Sequence, residues 1–187
     1  VTTTRNCSDN SFIYTRAPYA LDRRNKNQFL SFAGATTLDL CSYDQALTIV
    51  HGSDPNARFA QITSAAPAFM RVVGNQLVNS SVNHSCTNYV RWTGAAGFSM
   101  ERTATTYPVV LMSESSTTGT LQVVSGRAVM HAPNGSWTNA TDVVMKGGEL
   151  EVEHSAAFGT NTVVRFVKTG SAYGKINLFA GVKLPVA

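Results

Sequence analysis

The sequence predicts an all-β, single-domain β-sandwich of the jelly-roll kind, preceded by a mostly irregular N-terminal arm. Three observations carry that expectation. In residues 149–153 carboxylates alternate strictly with aliphatics, which puts Leu150 and Val152 on one face of a strand and Glu149, Glu151 and Glu153 on the other. In residues 175–184 Ile176, Leu178, Ala180, Val182 and Leu184 alternate with Lys175, Asn177 and Lys183, and Phe179 breaks the pattern by pointing outward. About ten such runs follow one another at intervals of about 8 to 15 residues, a spacing typical of sandwiches and jelly rolls. Strands with one apolar face need a second layer to cover it.

Taken in order, residues 1–10 are polar and aperiodic, as a mobile or partner-bound terminus would be. Phe12 and Tyr14 alternate with Ser11, Ile13 and Thr15 in a first short strand, which Pro18 closes. A charged connection over 21–26 leads into two strands over 28–40, broken at Gly34. Residues 46–50 follow, and then Gly52, Asp54, Pro55 and Asn56 supply the residues of a tight turn. Residues 58–63, 69–73, 89–93, 98–102 and 109–113 read as strands, and 115–119 as a loop. A long β run over 121–132 bends at Ser125 and Gly126 and ends in an exposed turn over 132–136. Residues 143–146 and 149–153 are joined by Gly147 and Gly148, which predict a tight hairpin because glycine readily takes the positive φ such turns require. Helix is confined to 43–50 or 65–73, both short. No internal repeat or dividing linker stands out, so the organisation expected is an arm over 1–26 and a jelly-roll domain over 27–187.

The 187 residues suffice for one such domain. Charged residues make up 14% of the chain, against about 25% in average globular proteins, so Ser, Thr, Asn and neighbouring subunits should cover much of the surface. No run of 18 apolar residues offers a membrane span. The net charge of +4 is modest but uneven: Arg5, Arg16, Arg23, Arg24 and Lys26 supply five of the fifteen basic residues. They are the candidate nucleic-acid contacts, through which the arm would neutralise phosphate; the plain reading is a solvated lead-in to the first strand. Cys7, Cys41 and Cys86 form no zinc or redox spacing; one disulfide with a spare thiol and three buried thiols both remain open.

Among polar constellations, Glu149, Glu151 and Glu153 are the most pointed. A solvent- or subunit-facing strand is the plain reading of that row. As a site it would hold calcium or meet a basic partner, and catalysis would require burial of one carboxylate to make it a general acid. His51, His84, His131 and His154 lie far apart with no second ligand at metal-binding spacing. His51, Ser53 and Asp54 read as part of a turn rather than a triad. Of five glycosylation sequons, those at Asn134 and Asn139 are best placed, flanking Trp137 in a loop. Trp137 is expected at the surface and Trp92 in the core.

A polar, mildly basic arm followed by a Thr-, Val- and Ala-rich β domain resembles a small jelly-roll coat protein in shape and composition. The reading drawn is a non-enzymatic, self-assembling structural subunit: a viral capsid protein in a virion, with itself and genomic nucleic acid as partners and no cofactor beyond calcium. The alternative is a secreted or cell-surface β-sandwich that binds glycans or builds an adhesive filament.

Overall fold

The computed structural model describes residues 4–7, 12–21, 29–32, 34–47, 49–51, 55–74, 86–102, 108–133, 137–171 and 173–184. Short strands dominate them. The first third holds β1 (Thr4–Cys7), β2 (Phe12–Tyr14), β3 (Phe29–Phe32), β4 (Thr37–Asp39), β5 (Gln45–Leu47), β6 (Ile49–His51) and β7 (Gln61–Thr63). Then come β8 (Ala68–Gly74), β9 (Cys86–Asn88), β10 (Arg91–Trp92), β11 (Ala96–Arg102), β12 (Val109–Leu111) and β13 (Leu121–Ser125). The last are β14 (Arg127–Met130), β15 (Asp142–Met145), β16 (Glu149–Val152), β17 (Val163–Phe166) and β18 (Lys175–Leu178).

Every pairing between these strands is parallel, and no strand pairs with its immediate successor. One sheet runs β17-β15-β13-β11-β8-β5 and a second β18-β16-β14-β12-β9, with smaller sheets β10-β7-β4-β2 and β1-β3-β6 towards the N-terminal side. The chain therefore winds as a β-solenoid: each coil lays one strand on each sheet and the next coil stacks on it, roughly 20 to 30 residues later. Stacking aligns like positions into columns that fill the interior. Phe98, Leu121 and Val143 form one column, and Val109, Ala128 and Leu150 another, every member at most 1% exposed.

The antiparallel β-sandwich or jelly roll expected from the sequence is thus corrected to a parallel solenoid; only its all-β character stands. The terms capsid and virion lose their basis with it, since the coat-protein likeness rested on shape. The stretch 1–26 is not irregular throughout either, because β1 pairs with β3 and β2 with β4 of the same chain. A repeat is present after all, spaced irregularly by loops of different length. Among the described residues no helix is long and apolar enough to cross a membrane.

Gly147 and Gly148 do not form a hairpin. The strands they join, β15 and β16, belong to different sheets, so the glycines turn a corner of the coil. Gly148 (φ +68°) stacks on the preceding corner glycine, Gly126 (φ +82°). The Glu149 N–H donates to the Gly126 carbonyl (2.8 Å), and on the next coil Lys175 N–H donates to the Gly148 carbonyl (2.9 Å). A Cβ on Gly148 would lie 2.5 Å from the Gly126 oxygen, so the corner can pack this closely only without a side chain.

Aromatic packing departs from expectation at one position. Trp92 is buried as foreseen, but Trp137 is buried too, at 0% exposure, 5.6 Å from the Trp92 ring and donating its indole N–H to the Gly119 carbonyl (2.8 Å). Its polar sequence neighbours hid this: the surrounding loop is polar, while Trp137 itself bridges to Phe158 and plugs the coil interior.

Candidate functional site

The interior columns end, among the described residues, at the coil of β17 and β18. Met100, Val123 and Met145 are fully buried in successive strands, and the fourth member of their column, Phe166 on β17, is 62% exposed. On the other sheet Leu111, Met130 and Val152 are buried, and Leu178 on β18, next in line, is 45% exposed. Both side chains occupy inward register positions and are exposed because no described coil stacks on them. Among the described residues β17 and β18 are also the end strands of their sheets, each with an edge that no described strand covers. Ile176, Val182 and Leu184 are half-buried and Lys175 and Lys183 exposed, as the expected alternation has them, but Leu178 and Ala180, expected on the covered face, are exposed and Asn177 is half-buried.

Around this end the surface is apolar and basic. Val163, Val167, Tyr173 and Phe179 are exposed, together with Arg165, Lys168, Lys175 and Lys183, and the sequence contains no Asp or Glu after Glu153. The Lys168 ammonium sits 5.5 Å from the centre of the Tyr173 ring. Arg165 reaches back one coil to Asp142 (2.5 Å).

The acidic row lies on one outward strand face, with Leu150 and Val152 fully buried behind it. Its carboxylates do not converge. Glu149 faces Lys175 of the next coil (3.7 Å), Glu151 pairs with Arg127 of the preceding coil, and Glu153 contacts Nδ1 of His131, also on the preceding coil. Parallel in-register stacking places residues one coil apart side by side, so each carboxylate meets a cationic or imidazole group from a neighbouring coil rather than another carboxylate. His154, beside Glu153, completes a group of three in which one ligand atom from each residue lies within 4.8 Å of the others. Sequence reasoning separated His131 from His154; the signal that joins them is a spacing of one coil, visible only once the repeat is known.

Another cross-coil network occupies the long sheet. Arg71 donates two hydrogen bonds to Glu101 (2.8 and 2.6 Å), and the Ser99 hydroxyl donates a third (2.6 Å). Burial alone would push the Glu101 carboxyl up. The Arg71 and Ser99 hydrogen bonds and the Arg71 charge together outweigh it and hold the group below the usual carboxylate range. The same pairing, against the opposing cost of burial, raises Arg71 further above the normal arginine value.

The remaining sequence candidates are dispersed. Arg5 lies in β1, where its backbone aligns with Leu30; Arg16 is exposed; Arg23, Arg24 and Lys26 fall outside the described residues, as does Asn134. Asn139 is exposed at the rim of a polar depression of about 240 Å³ that Arg91, Thr93, Glu114, Ser115, Ser116 and Thr138 also line. Cys41 carries a free, half-buried thiol. Cys7 and Cys86 lie in β1 and β9 with side chains outside the described residues.

No protein-family model, no curated protein and no solved structure matches the chain.

Proposed function

We propose that this chain is a non-enzymatic structural subunit that stacks end-on, its last coil receiving a coil of a second copy. One observation supports the reading: at Phe166 and Leu178, on the last described coil, two core columns open into solvent and present an apolar face that a further coil would cover. A docking coil would bury the exposed parts of both side chains, worth about 1 kcal/mol each, and would pair its backbone with the β17 and β18 edges. Head-to-tail contact of this type is heterologous and propagates along one axis. Of the two assemblies foreseen from the sequence, this favours a filament over a closed shell. In the extracellular or cell-surface setting that goes with a filament, the exposed Asn139 would be open to glycosylation.

Sedimentation velocity at rising protein concentration, with electron microscopy of the same samples, tests the proposal. The expected result is concentration-dependent growth into rods, abolished in a Phe166→Lys, Leu178→Lys double variant whose circular dichroism is unchanged. A monomer at every concentration, or association that survives the double variant, would refute end-on stacking.

A further inference from the structure

His131, Glu153 and His154 lie on two adjacent coils and are held there by the fold itself. His131 directly follows β14, and Glu153 and His154 directly follow β16; Met130 and Val152 are register partners, so His131 and Glu153 stack one above the other. Backbone hydrogen bonds between coils fix both: His131 N–H donates to the Leu111 carbonyl (3.0 Å) and Glu153 N–H to the Met130 carbonyl (3.1 Å). His154 is extended (φ −135°, ψ 140°) and leads into a single 3-10 turn, Ser155–Ala157, which is anchored by buried Ala157 and by the Ala157 N–H donating to the His154 carbonyl (3.1 Å). The imidazoles of His131 and His154 meet edge to face, 5.7 Å between centres at 73°. All three residues are half-buried, and their ligand atoms lie within 4.8 Å of one another.

We infer that these residues form a binding site for a divalent transition metal, Zn²⁺ by preference. Two imidazole nitrogens and one carboxylate oxygen are a zinc donor set, whereas calcium takes six to eight oxygens and would leave the imidazoles unused. Tetrahedral coordination at about 2.0–2.1 Å sets donors roughly 3.4 Å apart, so small rotations of the three side chains close the present spread onto an ion. Three protein ligands leave the fourth position to water. Binding would replace the Glu153–His131 contact, the carboxylate and the ring turning from each other to the shared ion. Because His131 comes from one coil and the other two ligands from the next, the bound ion clips adjacent coils together and resists their separation.

The test is titration calorimetry of the intact, chelator-stripped protein with Zn²⁺, and separately with Ca²⁺, combined with thermal melts. One Zn²⁺ should bind per chain, with weaker or no heat from Ca²⁺. At a hundredfold excess of free Zn²⁺ over its Kd the melting temperature should rise by roughly 5 to 10 °C. His154→Gln should weaken binding at least tenfold and, at the same free Zn²⁺, remove about half of that rise or more. His131→Gln with His154→Gln should abolish both, circular dichroism confirming that each variant is folded. Absence of Zn²⁺ binding, undiminished affinity in the double variant, or a calcium affinity equal to that for zinc would overturn the assignment and leave the group a cross-coil ion pair.

Discussion

Alanine in place of Gly148 separates a solenoid corner from a hairpin by energy alone. Two costs act at this site. The positive φ (+68°) charges an L-residue about 1–2 kcal/mol. The new Cβ would also stand 2.5 Å from the Gly126 oxygen and 2.9 Å from the Ser125 carbonyl carbon, which are backbone atoms of the preceding coil and cannot swing aside. Relieving that overlap by shifting packed backbone costs about 1–3 kcal/mol more. Gly170 supplies the control, with nearly the same φ (+62°) and nothing within 4 Å of its Cβ position. Both variants gain the same small benefit, about 0.4–1 kcal/mol, from a stiffer unfolded chain. Gly170→Ala should therefore cost about 1 kcal/mol or less and Gly148→Ala about 2–4 kcal/mol. For a chain of this size that is a drop in melting temperature of a few degrees against roughly 5 to 15 °C. Scanning calorimetry and urea unfolding of the two variants side by side give the comparison. In a hairpin, Gly148 would face solvent and the variants would behave alike; equal losses, or a smaller one for Gly148→Ala, would refute the stacked corner.

Glu101 gives stability a specific dependence on pH. Its folded pKa is depressed, so its contribution is complete above the unfolded value near 4.5 and is lost as pH falls through the lower folded value. Glu101→Gln should cost about 1–2 kcal/mol at neutral pH and flatten the acid limb of the stability profile, as read from urea midpoints; an acid limb as steep as in the wild type would exclude Glu101 as its source. Trp137→Phe removes the indole donor to the buried Gly119 carbonyl and opens a small void beside Trp92. A loss of about 2–3 kcal/mol is expected in the same assay, whereas a surface tryptophan would lose about 0.5 kcal/mol or less.

The alternation of Glu149 to Glu153 with Leu150 and Val152 was enough to state which side chains are inside and which outside, because a strand's period of two is local and holds whatever the strand pairs with. The bend at Ser125 and Gly126 was readable from its turn residues, and the burial of Trp92 from its place in a strand-like run, both of them local signals. What the alternation does not encode is the partner. Leu150 is equally apolar-in whether its neighbour arrives antiparallel through a tight turn or parallel from one coil away, and Gly147 and Gly148 suit either path because both need a positive φ. That choice was made by long-range stacking: columns such as Phe98, Leu121 and Val143 close an interior only when the chain winds in one direction. Loops of unequal length between coils keep the repeat from showing as a fixed period in the sequence. The candidate sites follow the same division. The acidic row was visible as a row, but its pairing with Arg127, His131 and Lys175, the meeting of His131 with His154, and the exposure of Phe166 and Leu178 all depend on which coil lies above which. In a parallel solenoid, position along the axis is fixed by register between distant segments, and only the tertiary structure holds that register.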